Sequence, residues 1–196
     1  MLYLKEGELY MHFIPCKNDE EIGMMVDFIL NHRQEINANY DAKTTFFSIG
    51  TQLLYGEVAI AVSSQEQVVG TVGYISGTPE YQFQDTHRAR IEMVYIDENY
   101  RCTNLFIKGI MWVIDLLKGT NKDVTHIEFY VPKENRKLQQ LSSKFAQMDT
   151  ESKSNFGVEV RYIASIQKVQ LYFDKLQKNR KRVSKDGTTN NNLSGR

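Results

Sequence analysis

Two cysteines, Cys16 and Cys102, stand in a chain of 196 residues. They are too few for a disulfide framework or a structural zinc site. The four histidines, His12, His32, His87 and His126, show no i,i+4 pair, so no metal is expected. No apolar run reaches the length of about 18 residues that a membrane span needs. The first residues, MLYLKEGELYMHF, carry charge where a secretory signal needs its apolar stretch, and a reducing, cytoplasmic setting is expected. Repeats and internal linkers are also missing.

Net charge is absent as well, since 24 basic side chains balance 24 acidic ones. The balance is uneven along the chain. From Lys175 to the end, seven basic residues face one acid, Asp186, giving +6, so residues 1–174 carry −6. Residues 176–196 lack apolar periodicity and are expected to form a basic, disordered tail. Arg180–Arg182 is the one feature that nucleic acid or an acidic partner would find, and the acidic body disfavours a dedicated nucleic-acid binder.

What remains has the composition of one globular domain over 1–175, with 41% apolar and 24% charged residues. The segment YMHFIPC (10–16) alternates like a strand and stops at Pro15. Asn18-Asp19 caps a helix whose stripe is Ile22, Met25, Val26, Ile29 and Leu30. A second helical stretch lies within 43–54. Two β-rich runs, 58–62 and 67–75, flank the polar turn Ser63–Glu66 as a hairpin. A strand over 90–97, a helix over 104–118 and a strand over 125–131 follow. The segment KENRKLQQLSSKFAQM reads as a further helix, and GVEVRYIASIQKVQLYF (157–173) as one or two closing strands. Early hairpins and later interleaved helices predict an α/β chain with a central mixed sheet flanked by helices.

The informative stretch is IEMVYIDENYRCTNLFIKGIMWVIDLLK (91–118), a strand leading through a polar loop into an apolar helix. A helix start of this kind offers unpaired N–H groups and partial positive charge to a phosphate. Such loops are usually rich in glycine, and Arg101-Cys102-Thr103-Asn104-Leu105-Phe106 has none. Asn104 reaches the left-handed region more readily than other side chains. Phe106 obstructs the cradle if its ring points to the phosphates and is harmless if turned into the core. Arg101 adds positive charge. Cys102 sits near a helix start beside Arg101, where a thiol can be activated. No histidine lies close in sequence to serve it, so it reads as part of the loop.

The order of elements resembles that of the GNAT superfamily of acyl-coenzyme A-dependent N-acetyltransferases, over all but the tail. In that family a strand of the type Glu-x-Leu-Tyr-Val precedes Arg/Gln-x-x-Gly-x-Gly/Ala. Here Glu92, Val94, Tyr95, Ile96 and Arg101 match, with Asn104 and Phe106 at the two glycine positions. A later family helix is matched by NRKLQQLSSKFAQ, which keeps Asn135, Leu141 and Lys144 and has Ser142 at the place of a tyrosine. The resemblance implies acetyl-coenzyme A, or another acyl-coenzyme A, as co-substrate. Its phosphates would lie against 101–106 and its pantetheine against main-chain groups of Val94–Ile96, with Asn135 also on the cofactor side. An acyl-carrier protein donor is the alternative that a glycine-poor loop leaves open, as is a non-catalytic binding or regulatory module of the same fold.

The implied reaction is attack of an amine on the thioester carbonyl. Glu92 is the candidate base, expected on the same strand face as Val94 and Ile96 with a pKa raised by burial; the other reading pairs it with Arg90 or another surface cation. The missing tyrosine at Ser142 leaves the acid open between Tyr130 and water, since a serine hydroxyl is a poor proton donor. The resemblance places the acceptor, a small-molecule or protein amine, among the first helices and 76–88. There Tyr81, Phe83, Asp85 and Arg88 select no particular amine, and Asp85 or Glu80 would attract a cation. A homodimer is compatible with this reading.

Overall fold

Capping chemistry sets the two early helices. The Asn18 side chain accepts from Glu21 N at 3.0 Å while the Glu21 carboxylate accepts from Asn18 N at 3.3 Å, a reciprocal box that starts α1 (Asp19–Ile36). Asp41 accepts from Thr44 N at 2.8 Å and starts α2 (Ala42–Tyr55). The computed structural model describes residues 11–36, 41–101, 104–120, 123–154 and 157–189. Its remaining elements are β1 (Met11–Pro15), β2 (Gly56–Ser63), β3 (Val68–Ser76), β4 (Arg88–Ile96), α3 (Leu105–Thr120), β5 (His126–Pro132), α4 (Arg136–Ser142), β6 (Gln147–Ser154), β7 (Gly157–Ser165) and α5 (Ile166–Thr189).

The strands form one seven-stranded sheet in the order β1-β2-β3-β4-β5-β7-β6. Only β4 and β5 run parallel, so the sheet is mixed, as the sequence predicts. Helices α1 and α2 cover one face through Met25, Ile29 and Ile49 against Val58, Ile60 and Met93. Helices α3 and α5 cover the other, where Val113, Ile114, Val169 and Phe173 meet Val72, Ile91, Val160 and Tyr162. Trp112 stacks on Phe13 at 5.9 Å, a packing role consistent with a helix that is apolar nearly all round.

Two segments differ from the sequence reading. Residues 166–173 are helix and not strand: Ile166, Val169 and Phe173 are buried at helical spacing, and this stripe seats α5 against α3. The helix read over 133–148 stops at Ser142, and Gln147–Ser154 is an edge strand on β7. Its sequence QMDTESKS is polar on both faces, so neither helical nor strand periodicity marks it. Helix α5 itself spans Ile166–Thr189.

Gly56 joins α2 to β2 with no room for a side chain. A Cβ there would lie 1.7 Å from the Tyr74 carbonyl oxygen and 2.8 Å from Ile75 Cα, both backbone atoms. Gly56→Ala is therefore expected to cost about 2–3 kcal/mol, read as a lower urea midpoint at unchanged m-value. A midpoint equal to that of the wild type would mean that β2 and β3 part here freely.

Candidate active site

The sheet splits at its centre. Strands β4 and β5 pair only where Arg88–Arg90 lie beside His126–Glu128, although β4 runs on to Ile96 and β5 to Pro132. Each strand then follows its other neighbour. β5 stays paired with β7 over its full length, from His126↔Ser165 to Pro132↔Glu159. β4 stays with β3 but bulges: Glu92 pairs with Gly73 and Tyr95 with Thr71, leaving Met93 and Val94 opposite Val72 alone. Met93 takes a positive φ of 52° there, a conformation that glycine usually supplies at a bulge and that few side chains adopt. On its β5 side, the end of β4 faces an opening and not another strand.

The bulge corrects one expectation. Simple alternation puts Glu92, Val94 and Ile96 on one face. The inserted residue instead leaves Glu92 and Tyr95 on the α1/α2 side and turns Ile96 toward Ala61, Val69 and Leu105. The Tyr95 ring packs against both Phe28 and His32 of α1, at 5.8 and 4.8 Å, so only its main chain faces the opening. Val94 is exposed.

Arg90 and Glu128 close the vertex of the split. They are the last register pair, both buried, with Arg90 Nε donating to Glu128 Oε1 at 2.7 Å. Arg90 also donates through Nη2 to Glu80, while Arg88 and Arg161 lie 3.8 and 4.0 Å from the second Glu128 oxygen. Arg90 thus turns to Glu128 and Glu80 and not to Glu92, as the alternative reading had it. Two residues beyond this pair, on the same sheet face, stand Glu92 on β4 and Tyr130 on β5. They flank the opening.

Burial pushes the Glu92 carboxyl up to about 7; Arg90 opposes this, and the acids Glu80, Glu128 and Glu159 add to it. Burial also raises the Tyr130 phenol, whose ring lies 5.1 Å from the Arg90 guanidinium. Ser142 is buried at the end of α4, where its carbonyl accepts from Phe145 and Ala146. Asn135 uses its side chain to cap α4, accepting from Leu138 N at 3.1 Å.

At the helix start, Asn104 accepts the first intrahelical bond of α3, from Lys108 N at 2.9 Å. Its side-chain oxygen is buried without a hydrogen-bond partner. Leu105 is buried, and the Phe106 ring packs edge-on against Phe173 at 6.2 Å, turned into the core and away from the helix mouth. Arg101 bends toward α1: it donates to the Ile96 carbonyl at 3.0 Å and to the Tyr95 hydroxyl at 3.1 Å, and lies 3.5 Å from Glu35. Cys102 and Thr103, also assigned to the cradle, lie outside the described residues. In the segment 76–88, Asp85 accepts from Thr78 N and Oγ1 and so holds the loop together, and Glu80 is occupied by Arg90. A shallow depression of about 720 Å³ lies beyond the end of β4, lined by Val68, Val69, Asp97 and Tyr100; it is open to solvent and includes none of the groups at the split.

Sequence reasoning missed Gln52. It points from α2 at Gly73, where a Cβ would come within 1.9 Å of its oxygen. Gln52 is almost fully buried, and neither its oxygen nor its nitrogen has a hydrogen-bond partner, although Gly73 is the register partner of Glu92. A polar residue in the buried stripe Thr45, Ile49, Gln52 was the available signal. Glu35, which orders both Tyr95 and Arg101, carried no signal at all. Among the described residues, no group of three or more His, Cys, Asp or Glu side chains is arranged to hold a metal.

The raised Glu92 carboxyl makes stability depend on pH in a definite direction. Its folded value of about 7 lies above the ordinary 4.5, so the native chain holds the proton more tightly than the unfolded one. The resulting destabilisation is absent below the lower value, grows as pH rises and is complete above about 7, reaching up to about 3 kcal/mol. Glu92→Gln is expected to remove this decline, so that its stability exceeds that of the wild type increasingly from pH 5 to 8 in urea titrations. Parallel pH profiles for the two proteins would refute the burial of Glu92.

No family model matches the sequence, and no curated protein matches it. Solved structures do match in fold. A GNAT-family acetyltransferase from Staphylococcus aureus superposes with a TM-score of 0.62 at 18% identity, over 80% of this chain and 99% of that one. A putative acetyltransferase from Acinetobacter baylyi gives 0.61 at 17%, over 81% and 94%. The spermidine N-acetyltransferase of Vibrio cholerae, solved with CoA and spermine, gives 0.59 at 11%, over 82% and 98%. With its mixed seven-stranded sheet split between β4 and β5, the chain has the fold of the GNAT acetyltransferases.

Proposed function

We propose that the protein is an N-acyltransferase that moves an acyl group, most simply acetyl, from coenzyme A to an amine. The observation that carries this is the placement of Glu92, a carboxyl raised to about 7, at the mouth of the split beside unpartnered β4 backbone. A base with a value near working pH removes the ammonium proton of an acceptor without surrendering its driving force. The neutral amine nitrogen then attacks the thioester carbonyl carbon, a C–N bond forms, the nitrogen gives its second proton to water, and the C–S bond breaks as the tetrahedral adduct collapses. The leaving thiolate takes its proton from the Tyr130 phenol across the split or from water.

The donor side is supported by the loop. With its ring in the core, Phe106 does not obstruct phosphate oxygens at the first turn of α3. Main-chain groups of Val94–Ile96 would hold the pantetheine as an added strand. Arg101, tied to Glu35 and Tyr95, braces the loop as much as it lends charge. For the acceptor, the acids around Glu92 favour a cation: Glu159 is itself raised by burial and by Glu134, while Glu80 and Glu128 are balanced by arginines. A cationic amine is the acceptor class this wall fits, in keeping with the spermine-bound neighbour from Vibrio cholerae.

Isothermal titration with acetyl-coenzyme A, followed by turnover with a cationic amine such as spermidine, tests the reading. Wild type is expected to bind the donor at micromolar strength and to show activity that rises with pH through about 7 as Glu92 loses its proton. Glu92→Gln is expected to lower kcat by roughly 100-fold or more, to abolish that rise, and to leave donor affinity unchanged. Absence of donor binding would overturn the coenzyme A reading, and a Glu92→Gln enzyme within a few-fold of wild type would remove Glu92 as the base.

A further inference from the structure

Helix α2 carries an apolar face that stands exposed among the described residues. Phe46 is 54% exposed, Phe47 76%, Leu53 39% and Leu54 78%. At 100° per residue these four and Gly50 fall within an arc of about 120° centred on Gly50. The buried Ile49, Thr45 and Gln52 lie about 100–160° to one side of Gly50, so the apolar outer arc is separate from the stripe that faces the sheet. The only charge in the outer arc is Lys43, and Gly50 has no atom within 4 Å of where a Cβ would stand.

We propose that this face is the interface of a homodimer in which two α2 helices pack antiparallel about a two-fold axis through Gly50. The numbering itself is self-complementary. An axis at position 50 sets Phe46 against Leu54 of the second copy, Phe47 against Leu53, and Gly50 against Gly50, so each ring meets a leucine and the two backbones meet where no side chain intervenes. An isologous contact requires this reciprocity. Lys43 falls at the ends of the contact, leaving the two lysines about 20 Å apart, beyond the range of strong repulsion at physiological salt.

Area supports the same occupant. At about 200 Å² for a fully exposed large apolar side chain, the four leave on the order of 500 Å² open per copy. With a polar rim this approaches the roughly 800 Å² per partner of a stable interface. A lipid surface fits less well, because membrane-lying helices flank their apolar face with several cations, and here the flanks are Thr44, Ser48 and Thr51. The contact does not depend on the proposed chemistry.

Sedimentation velocity of the full chain from about 1 to 100 μM tests the proposal. Wild type is expected to sediment as a dimer, and Phe47→Glu and Leu54→Asp, both at exposed positions, each to weaken it at least tenfold while far-UV circular dichroism stays unchanged. Gly50→Cys is expected to form an interchain disulfide under mild oxidation that wild type does not form, since the axis brings the two positions together. A monomer at every concentration would overturn the proposal, whether or not it co-sediments with anionic vesicles. So would a dimer that survives both charge substitutions, or a Gly50→Cys protein that fails to cross-link.

Discussion

The buried Arg90–Glu128 ion pair decides where the sheet divides. Taking two charges out of water is unfavourable unless every donor and acceptor finds a partner. Here the guanidinium is shared between Glu128 and Glu80 and Glu128 Oε1 accepts from Arg90, while the buried Oε2 has no hydrogen-bond partner and is offset only by the charges of Arg88 and Arg161 at 3.8 and 4.0 Å. Such a cluster demands space and polar company on one sheet face. An apolar helix cannot be laid over it, so the α1/α2 layer stops at β4 on this side. The ladder between β4 and β5 ends at the same pair. The opening is therefore a consequence of the charges that pin its vertex together with the strands' other partners, which draw the two chains apart.

That arrangement also explains why Glu92 is raised. Two residues past the vertex, it lies close enough to Arg90 to be pulled down, yet Glu80 and Glu128 already compensate that cation and push the other way. What remains is desolvation. Gly73, its register partner, adds no side chain, and the space above Gly73 is taken by the amide of Gln52. A buried amide with no hydrogen-bond partner costs about 1–3 kcal/mol, so a group that enters from outside and satisfies it gains that much relative to a wholly apolar wall. Glu92 on β4 and the Gln52 amide over its neighbour β3 lie side by side, which makes the α1/α2 side of the split the polar side.

Much of this was legible in the residues. The element order from β1 to β5 follows from alternation, from the Asn18 cap and from the apolar run of α3, because each of those signals is local. The bulge was not legible. It depends on Met93 adopting a left-handed φ opposite Val72, a cross-strand event that no period-two pattern in 90–97 records. Strand β6 was invisible for a related reason, since a polar edge strand exists only because β7 offers it a free edge. Helix α5 is different: the stripe Ile166, Val169, Phe173 was present, and the β-rich composition before it masked a change of period. The glycine-poor loop turned on a single ring direction, which is a tertiary fact. Phe106 finds Phe173, a residue of the very helix that was read as strand.

Helix α2 joins these threads, because one short helix serves two surfaces. Its inner stripe of Thr45, Ile49 and Gln52 sits on β2 and β3 and sets Gln52 beside the partner of Glu92. Its outer arc of Phe46, Phe47, Leu53 and Leu54 is apolar and open. The helix ends at Gly56, where backbone contact with Tyr74 leaves no slack, and its last residue, Tyr55, stacks on Phe83 at 3.7 Å. A helix fixed at that end by a glycine and a ring stack can shift only by turning or tilting on the sheet. Any such turn would carry Gln52 with it, since the inner and outer arcs are separate sides of one rigid cylinder. Contacts on the outer arc therefore bear on the polar wall of the split through the helix itself, with no intervening loop to absorb the motion.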